Sequence, residues 1–243
     1  MVVPIGTITN VAAVIAGAAI GAVAGGRFPD RMRATVMAAL GLLTAVLGVR
    51  ETLATDDFVP VLAAVLLGAL VGEALRIEDG LHALGDAVQR RVGGAAPIDV
   101  DAPETYRPRD GDSRFGEGFV VASLVYCIGP LTVVGSIQDG LGDPELLLVK
   151  SGLDGFASIA FASVYGWGVA LAAATVGIVQ GAIALASGAL EGVLTDPMVD
   201  ALAAAGGVLL VGISLRLLDL KEVRVANLLP AVVLAPLFVR IWG

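Results

Sequence analysis

Long apolar runs, interrupted at intervals by short polar clusters, organise this chain from end to end. They lie near residues 5–25, 34–52, 58–76, 118–137, 146–166, 168–190, 199–216 and 224–242. Each is close to the roughly 20 residues that a helix needs to cross a hydrocarbon core. The pattern predicts an all-α, polytopic integral membrane protein of about eight transmembrane helices. The fifth and sixth runs are separated only by Gly166-Trp167-Gly168, so a count of seven competes. Charge placement favours eight. With the N-terminus outside, eight crossings put Arg27, Arg31, Arg33, Arg76, Arg90, Arg91, Arg107, Arg109, Arg114, Arg216, Lys221 and Arg224 inside. Only Arg50, Lys150 and Arg240 fall elsewhere. Seven crossings would carry the Arg216–Arg224 cluster outside, against the positive-inside bias.

The first run ends in small residues, as a signal peptide does, but no Lys or Arg precedes its apolar part and Arg27, Arg31 and Arg33 follow it. That order predicts a retained anchor with both chain termini outside. The one long polar interval is 77–116. Its first part places Leu81, Leu84, Val88 and Val92 at helical spacing, the pattern of an amphipathic helix lying on a membrane surface. The rest, rich in Pro, Gly and Asp, reads as a flexible linker. The chain therefore divides into a three-span half (1–76), an inside segment (77–116) and a five-span half (117–243).

A weak internal repeat accompanies this division. Thr7 to Pro29 and Thr175 to Pro197 are equal in length, each an apolar Gly/Ala-rich run ending at a proline. MAALGLLTAVLGVR (37–50) and ALAAAGGVLLVGIS (201–214) follow and align at Gly48 and Gly212. Spans 1–3 thus match spans 6–8. Five spans separate the starting points, an odd number, so the copies would face opposite ways. Inverted repeats of this kind recur in transporters, with the site where the halves meet. Gly/Ala-rich helices also resemble one another for no deeper reason.

Composition agrees with the membrane assignment: 57% of the 243 residues are hydrophobic and 16% charged. Mean hydropathy is +0.89. The 32 glycines sit largely inside apolar runs, where membrane helices use them for close approach. Single residues of Cys (Cys127) and His (His82, placed in a loop) exclude an internal disulfide and argue against a His-based metal site. A net charge of −8 argues against nucleic acid as a partner. Acidic outer loops, including Glu51, Asp56, Asp57, Asp143 and Asp196, would concentrate cations at an outer mouth. Salt adaptation gives the same count. Walker A, dinucleotide, HExxH and GxSxG patterns are absent from the sequence, so no cofactor and no enzyme activity are expected.

The candidate chemistry is concentrated in 127–163. Gly129-Pro130 should break the fourth helix, because proline removes a donor and clashes with the preceding turn. Backbone groups freed inside a membrane must find protein, water or a ligand. Thr132 and Ser136 share a face below the break, and Gln138 and Asp139 open a glycine-containing loop that runs to Pro144. Lys150 and Asp154, four apart, can pair along one helix face that Ser158 continues. An ionisable pair in apolar sequence marks a pathway or, alternatively, a lysine snorkelling to the outer surface with Asp154 as its partner. Asn10, beside Thr7 and Thr9, and Gln180 add two amides within spans. Each either lines the pathway or bonds a neighbouring helix. Gly17/Gly21/Gly25, Gly68/Gly72 and Gly177/Gly181 form small-residue stripes for packing within the chain or in a homo-oligomer.

The stretches IGTITN, RATVMAALGLLTAVLGV and GPLTVVGSIQDGLGDPELLLVKSGLDGFASIAFAS resemble the YqgA-like prokaryotic inner-membrane proteins, a domain-of-unknown-function family. The likeness covers nearly the whole chain except 93–116. It implies a multi-span protein of a prokaryotic cytoplasmic membrane, with transport only suggested and no binding residues assigned. Three readings follow. The first is a transporter or channel for a small solute, a monovalent cation favoured, with a site between the repeat halves. The second is a non-transporting scaffold or regulatory subunit, and the third a membrane-embedded lipid enzyme using Asp139, Asp143 or Asp154.

Overall fold

The computed structural model describes residues 3–25, 29–92, 114–190 and 192–242. Among them the chain is helical throughout, with no strand. The first three helices are α1 (Ile5–Gly25), α2 (Asp30–Thr52) and α3 (Val59–Leu75), followed by α4 (Ile77–Val92). Then come α5 (Arg114–Cys127), α6 (Pro130–Leu141), α7 (Glu145–Tyr165), α8 (Gly168–Leu185) and the short α9 (Ser187–Leu190). The chain closes with α10 (Asp196–Leu217), a 3-10 turn at Val225–Leu228 and α11 (Pro230–Trp242). Prolines stand in the first turns of α3, α6 and α10, where the missing N–H is not needed. Gly142 closes α6 in the left-handed region at φ 104°, a conformation glycine adopts without cost.

Six segments are long and apolar enough to cross a membrane: α1, Ala34–Thr52 of α2, α7, α8, α10, and Val225–Trp242. Two more qualify only as bent pairs, α3 with Ile77–Leu84 at 54° and Phe115–Cys127 with α6 at 66°. Counting each bent pair as one span gives eight. The expected fourth span at 118–137 is therefore two helices, the first starting at Arg114. Gly129, at φ 130° and ψ 159°, sits in backbone space closed to residues with a Cβ, and Pro130 begins a new helix.

Three details of the sequence reading change. His82 lies in α4, not in a loop, and is buried. Gln138 and Asp139 belong to α6, so the connection to α7 is only Gly142-Asp143-Pro144. Gly177 packs on Val11 of α1, but among the described residues nothing lies within 4 Å of a Cβ at Gly181, so only the first of that pair serves packing within the chain. Residues 93–113 of the expected linker, and the Val88 and Val92 side chains of the amphipathic stripe, lie outside the described residues.

Glycine contacts fix how the helices run. Gly17, Gly21 and Gly25 of α1 abut the backbones of Gly155, Ile159 and Ser163 of α7 in the same order, so α1 and α7 are parallel. Phe115 meets Gly168 and Ser123 bonds Thr175, which makes α5 and α8 parallel. Gly118 meets Tyr165 while Tyr126 meets Ser158, so α5 and α7 are antiparallel. It follows that α7 and α8 run in opposite directions and that the Gly166-Trp167 turn is a hairpin between two separate crossings. Gly41 against Leu218 and Gly48 against Gly207 and Val211 make α2 and α10 antiparallel. Gly68 against Ala231 and Gly72 against Asn227 do the same for α3 and α11. These directions are those of a chain that alternates across a membrane eight times.

The largest buried cluster joins α1, α5, α7, α8 and α10 around Tyr126, Phe161, Val169, Leu209 and Ile213. Large apolar side chains such as Leu66, Leu70, Phe156 and Ile178 point outward. In a water-soluble protein such a surface would drive association; in a bilayer it is solvated by lipid.

Candidate functional site

The break in the α5–α6 pair creates the site. Ending α5 at Cys127 frees the last carbonyls of that helix, and nearby hydroxyls answer part of the demand. Thr132 Oγ1 donates to the Tyr126 carbonyl at 3.0 Å, reaching back across the break. Ser136 Oγ donates to the Thr132 carbonyl at 2.5 Å, one turn behind it. Thr132 and Ser136 share one buried face of α6, as their spacing predicts, and both spend their protons on backbone.

Beside the break, α7 presents Lys150, Asp154 and Ser158 one turn apart. Lys150 Nζ lies 2.6 Å from Asp154 Oδ2. Both residues are 6% exposed, and Asp154 stands near the middle of its helix. The ammonium turns along α7 toward the helix centre and away from the nearer end, so Lys150 does not snorkel. Asn10 of α1 is fully buried and donates from Nδ2 to the same Asp154 Oδ2 at 2.9 Å. Its Oδ1 has no partner. Ser158 Oγ donates to the Tyr126 hydroxyl at 2.9 Å, tying α7 to the last turn of α5. Cys127 ends α5 at the break itself.

Asp139 does something different. Its carboxylate is 1% exposed and accepts the Gly6 N–H at 2.8 Å, the Thr7 N–H at 2.8 Å and the Thr7 hydroxyl at 2.9 Å. These are N–H groups that the first turn of α1 cannot satisfy itself. The side chain of a distant helix thus caps α1, and its negative charge meets the positive end of the α1 dipole. Gly6 permits this approach, since a Cβ there would collide with Leu147 and the Asp139 carboxyl.

The structure unites Asn10, Lys150 and Asp154 by direct bonds, and links Ser158, Thr132 and Ser136 in series through Tyr126. Asp139 is held by the start of α1. Gln138 is half-buried, and its contribution is a backbone carbonyl that accepts the Asp143 N–H. Gln180 is fully buried with both Oε1 and Nε2 unpartnered. It lies on the α8 face of Val176 and Ala184, and Ala184 backs onto Gly140 of α6. No hydrogen bond links it to Asp154. Among the described residues no group of His, Cys, Asp and Glu could hold a metal ion.

A second polar cluster escaped the sequence reading. Where α3 and α10 end, Arg216 Nη1 donates to Glu78 Oε1 at 2.9 Å, and Glu78 Oε2 accepts the Ala226 N–H at 3.2 Å. Asn227 joins both neighbours, accepting the Glu78 N–H at 2.8 Å and donating to Glu73 at 2.7 Å. Glu117 lies 3.8 Å from Arg216, and His82 3.8 Å from Glu78. The Glu78 carboxylate is buried, and Arg216 and the Ala226 N–H are the donors that answer its charge. Glu78 lies 138 positions from Arg216, 148 from Ala226 and 149 from Asn227, so no local spacing signals those bonds. The one local sign is the pair Glu78 and His82, four apart on one face of α4.

A family model described as "Protein of unknown function (DUF554)" matches residues 5–240. The chain is 28% identical over 232 residues to "Uncharacterized protein YqgA" of Escherichia coli (strain K12), covering 95% of this chain and 94% of that protein. It is also 28% identical over 239 residues to "Uncharacterized membrane protein YdfK" of Bacillus subtilis (strain 168), covering 96% and 95%. No solved structure matches.

Proposed function

Because the chain belongs to the DUF554 family, proteins of unknown function, we propose its activity from geometry: it carries a small solute across the membrane through a site at Lys150, Asp154 and Asn10. One observation carries this reading. An ion pair and an amide with an orphaned acceptor are buried together at mid-helix, beside a broken helix. Charged groups at membrane depth are costly and tend to mark solute or ion pathways. Broken helices offer freed backbone groups to a substrate at the same depth.

The arrangement of pairs supports the two-fold organisation that alternating access uses. Exchanging α1, α2 and α3 with α8, α10 and α11 keeps part of the pattern: α1 packs on α7 as α8 packs on α5, and α2–α10 and α3–α11 are each partners, whereas α10 packs on α11 and α2 makes no comparable contact with α3. With the arginine-rich end inside, the Glu78–Arg216 cluster lies at the inner end of the bundle and Asp139 at the outer end. The solute then meets Asp154 between two places where the halves are tied together.

A cation alone is a poor match for the resting site, because the Asp154 charge is already balanced by Lys150. The test therefore spans charge classes. Purified protein in liposomes is offered labelled rubidium, methylammonium, acetate and an amino-acid pool, one at a time. Uptake of at least one, reduced tenfold or more by Asp154→Asn in protein verified as inserted and folded, is the expected result. No uptake of any probe by the wild-type chain would overturn transport. The open α8 face at Gly181 supports a second reading, a subunit docking on another membrane helix. Isolation of a stable complex through that face, with no transport, would favour it.

A further inference from the structure

We propose that the solute carried at this site is a small zwitterion bearing an ammonium and a carboxylate on one short skeleton, the amino-acid class. This deepens the transport reading above and rests on it.

Charge neutrality is the first argument. Lys150 and Asp154 together contribute zero net charge in surroundings where an unbalanced charge is heavily penalised. A metal or organic cation bound at Asp154 would leave the Lys150 ammonium uncompensated, and an anion bound at Lys150 would strand Asp154. A zwitterion opens the pair and satisfies both halves at once: its ammonium takes the carboxylate and its carboxylate takes the ammonium. Total charge stays at zero before, during and after binding.

The amides supply the second argument. Asn10 is fully buried, gives Nδ2 to Asp154 and leaves Oδ1 without a partner. An orphaned buried acceptor costs about 1–3 kcal/mol and is retained here next to the charged pair. Its acceptor suits a solute ammonium, and its donor suits a solute carboxylate once Asp154 turns to the ligand. Both Lys150 and Asn10 converge on Oδ2 of Asp154, so neither occupies Oδ1. Gln180, on the helix that packs against both α1 and α6, offers another buried amide with donor and acceptor free. The unpartnered groups thus include both acceptors and a donor, a mixture that a simple ion does not require.

No other charge disturbs this balance. The α1 and α8 segments carry no ionisable residue. Asp139 of α6 is occupied by the start of α1. Along α2 the charges stop at Arg33 and resume at Arg50. From α5, Tyr126 meets the same face of α7 through its hydroxyl, which accepts from Ser158.

The experiment uses the full chain in liposomes with four probes: the twenty protein amino acids as a labelled pool, methylammonium, acetate and rubidium. Saturable uptake of the pool, with methylammonium and acetate each carried at least tenfold more slowly, is expected. Asn10→Leu keeps the ion pair and should raise the apparent KM for the pool at least tenfold. Lys150→Met combined with Asp154→Leu removes both charges together, avoiding a stranded ion, and should abolish uptake in inserted protein. Uptake of rubidium or methylammonium without the pool would overturn the zwitterion and leave transport standing. Pool uptake unchanged in both Asn10→Leu and the double variant would also overturn it. Failure to carry any probe would remove the transport reading and this one together.

Discussion

Asp154 shows how a single residue's meaning depends on its partners. Spacing placed it on one face with Lys150, and the fold adds Asn10 from α1 and encloses all three. Removing one member of a buried ion pair costs about 3–5 kcal/mol, because the other is left uncompensated. Asp154→Asn should therefore lower the midpoint of thermal unfolding in detergent measurably. Adding Lys150→Met to that variant should recover most of the loss. Equal destabilisation by the single and double variants would mean that the two charges do not depend on each other. Asp139 is the contrasting case: it reads as a loop acid by sequence, and the structure turns it into the cap of α1. Nothing near Asp139 in the sequence signals this, since its partners lie 132 and 133 positions away.

Among the elements, the parallel α1–α7 seam sets three successive glycines of one helix against the backbone of the other. A Cβ at Gly21 would run into the carbonyl of Ile159, and one at Gly25 into that of Ser163. Backbone cannot yield as a flexible side chain does, so Gly21→Leu should separate the helices at a cost of roughly 1–3 kcal/mol or more. Gly181→Leu on α8, where nothing lies within 4 Å, should leave the isolated chain's thermal stability unchanged. Comparable losses at both positions would show that α8 is packed against something in the assembled protein. Spacing alone ranks Gly21 and Gly181 equally, because both stand four residues from another glycine. Only packing separates the seam from the open face.

For the whole molecule, the tie between halves at Glu78 and Arg216 carries the consequences. Glu78 accepts from Arg216 and from the Ala226 N–H, so its charge joins α4 to α10 and the 3-10 turn. Glu78→Gln should weaken hydrogen-exchange protection in α4 and the 3-10 turn more than in α7. Equal protection in the wild-type chain and the variant would mean that the cluster does not tie these elements. A second prediction concerns orientation. Single cysteines placed at 219–223, in a chain whose Cys127 is replaced by Ala, should react with membrane-permeant but not impermeant thiol reagents in intact cells. Labelling by the impermeant reagent would invert the orientation proposed here.

Sequence by itself determined the membrane class, the positions of the apolar spans, the break at Gly129-Pro130 and the pairing potential of Lys150 with Asp154. Each follows from local physics: span length against bilayer thickness, proline and glycine backbone limits, and four-residue helical spacing. Tertiary structure alone decided that α1 lies parallel to α7, that Asn10 reaches Asp154, that Asp139 caps α1 and that Glu78 meets Arg216. Contacts between residues more than 130 positions apart depend on which helix faces which. An almost uniformly apolar helix such as α1 carries little amphipathic pattern to announce its facing side. Close packing of glycine against backbone settles that choice, and it exists only once the helices have met.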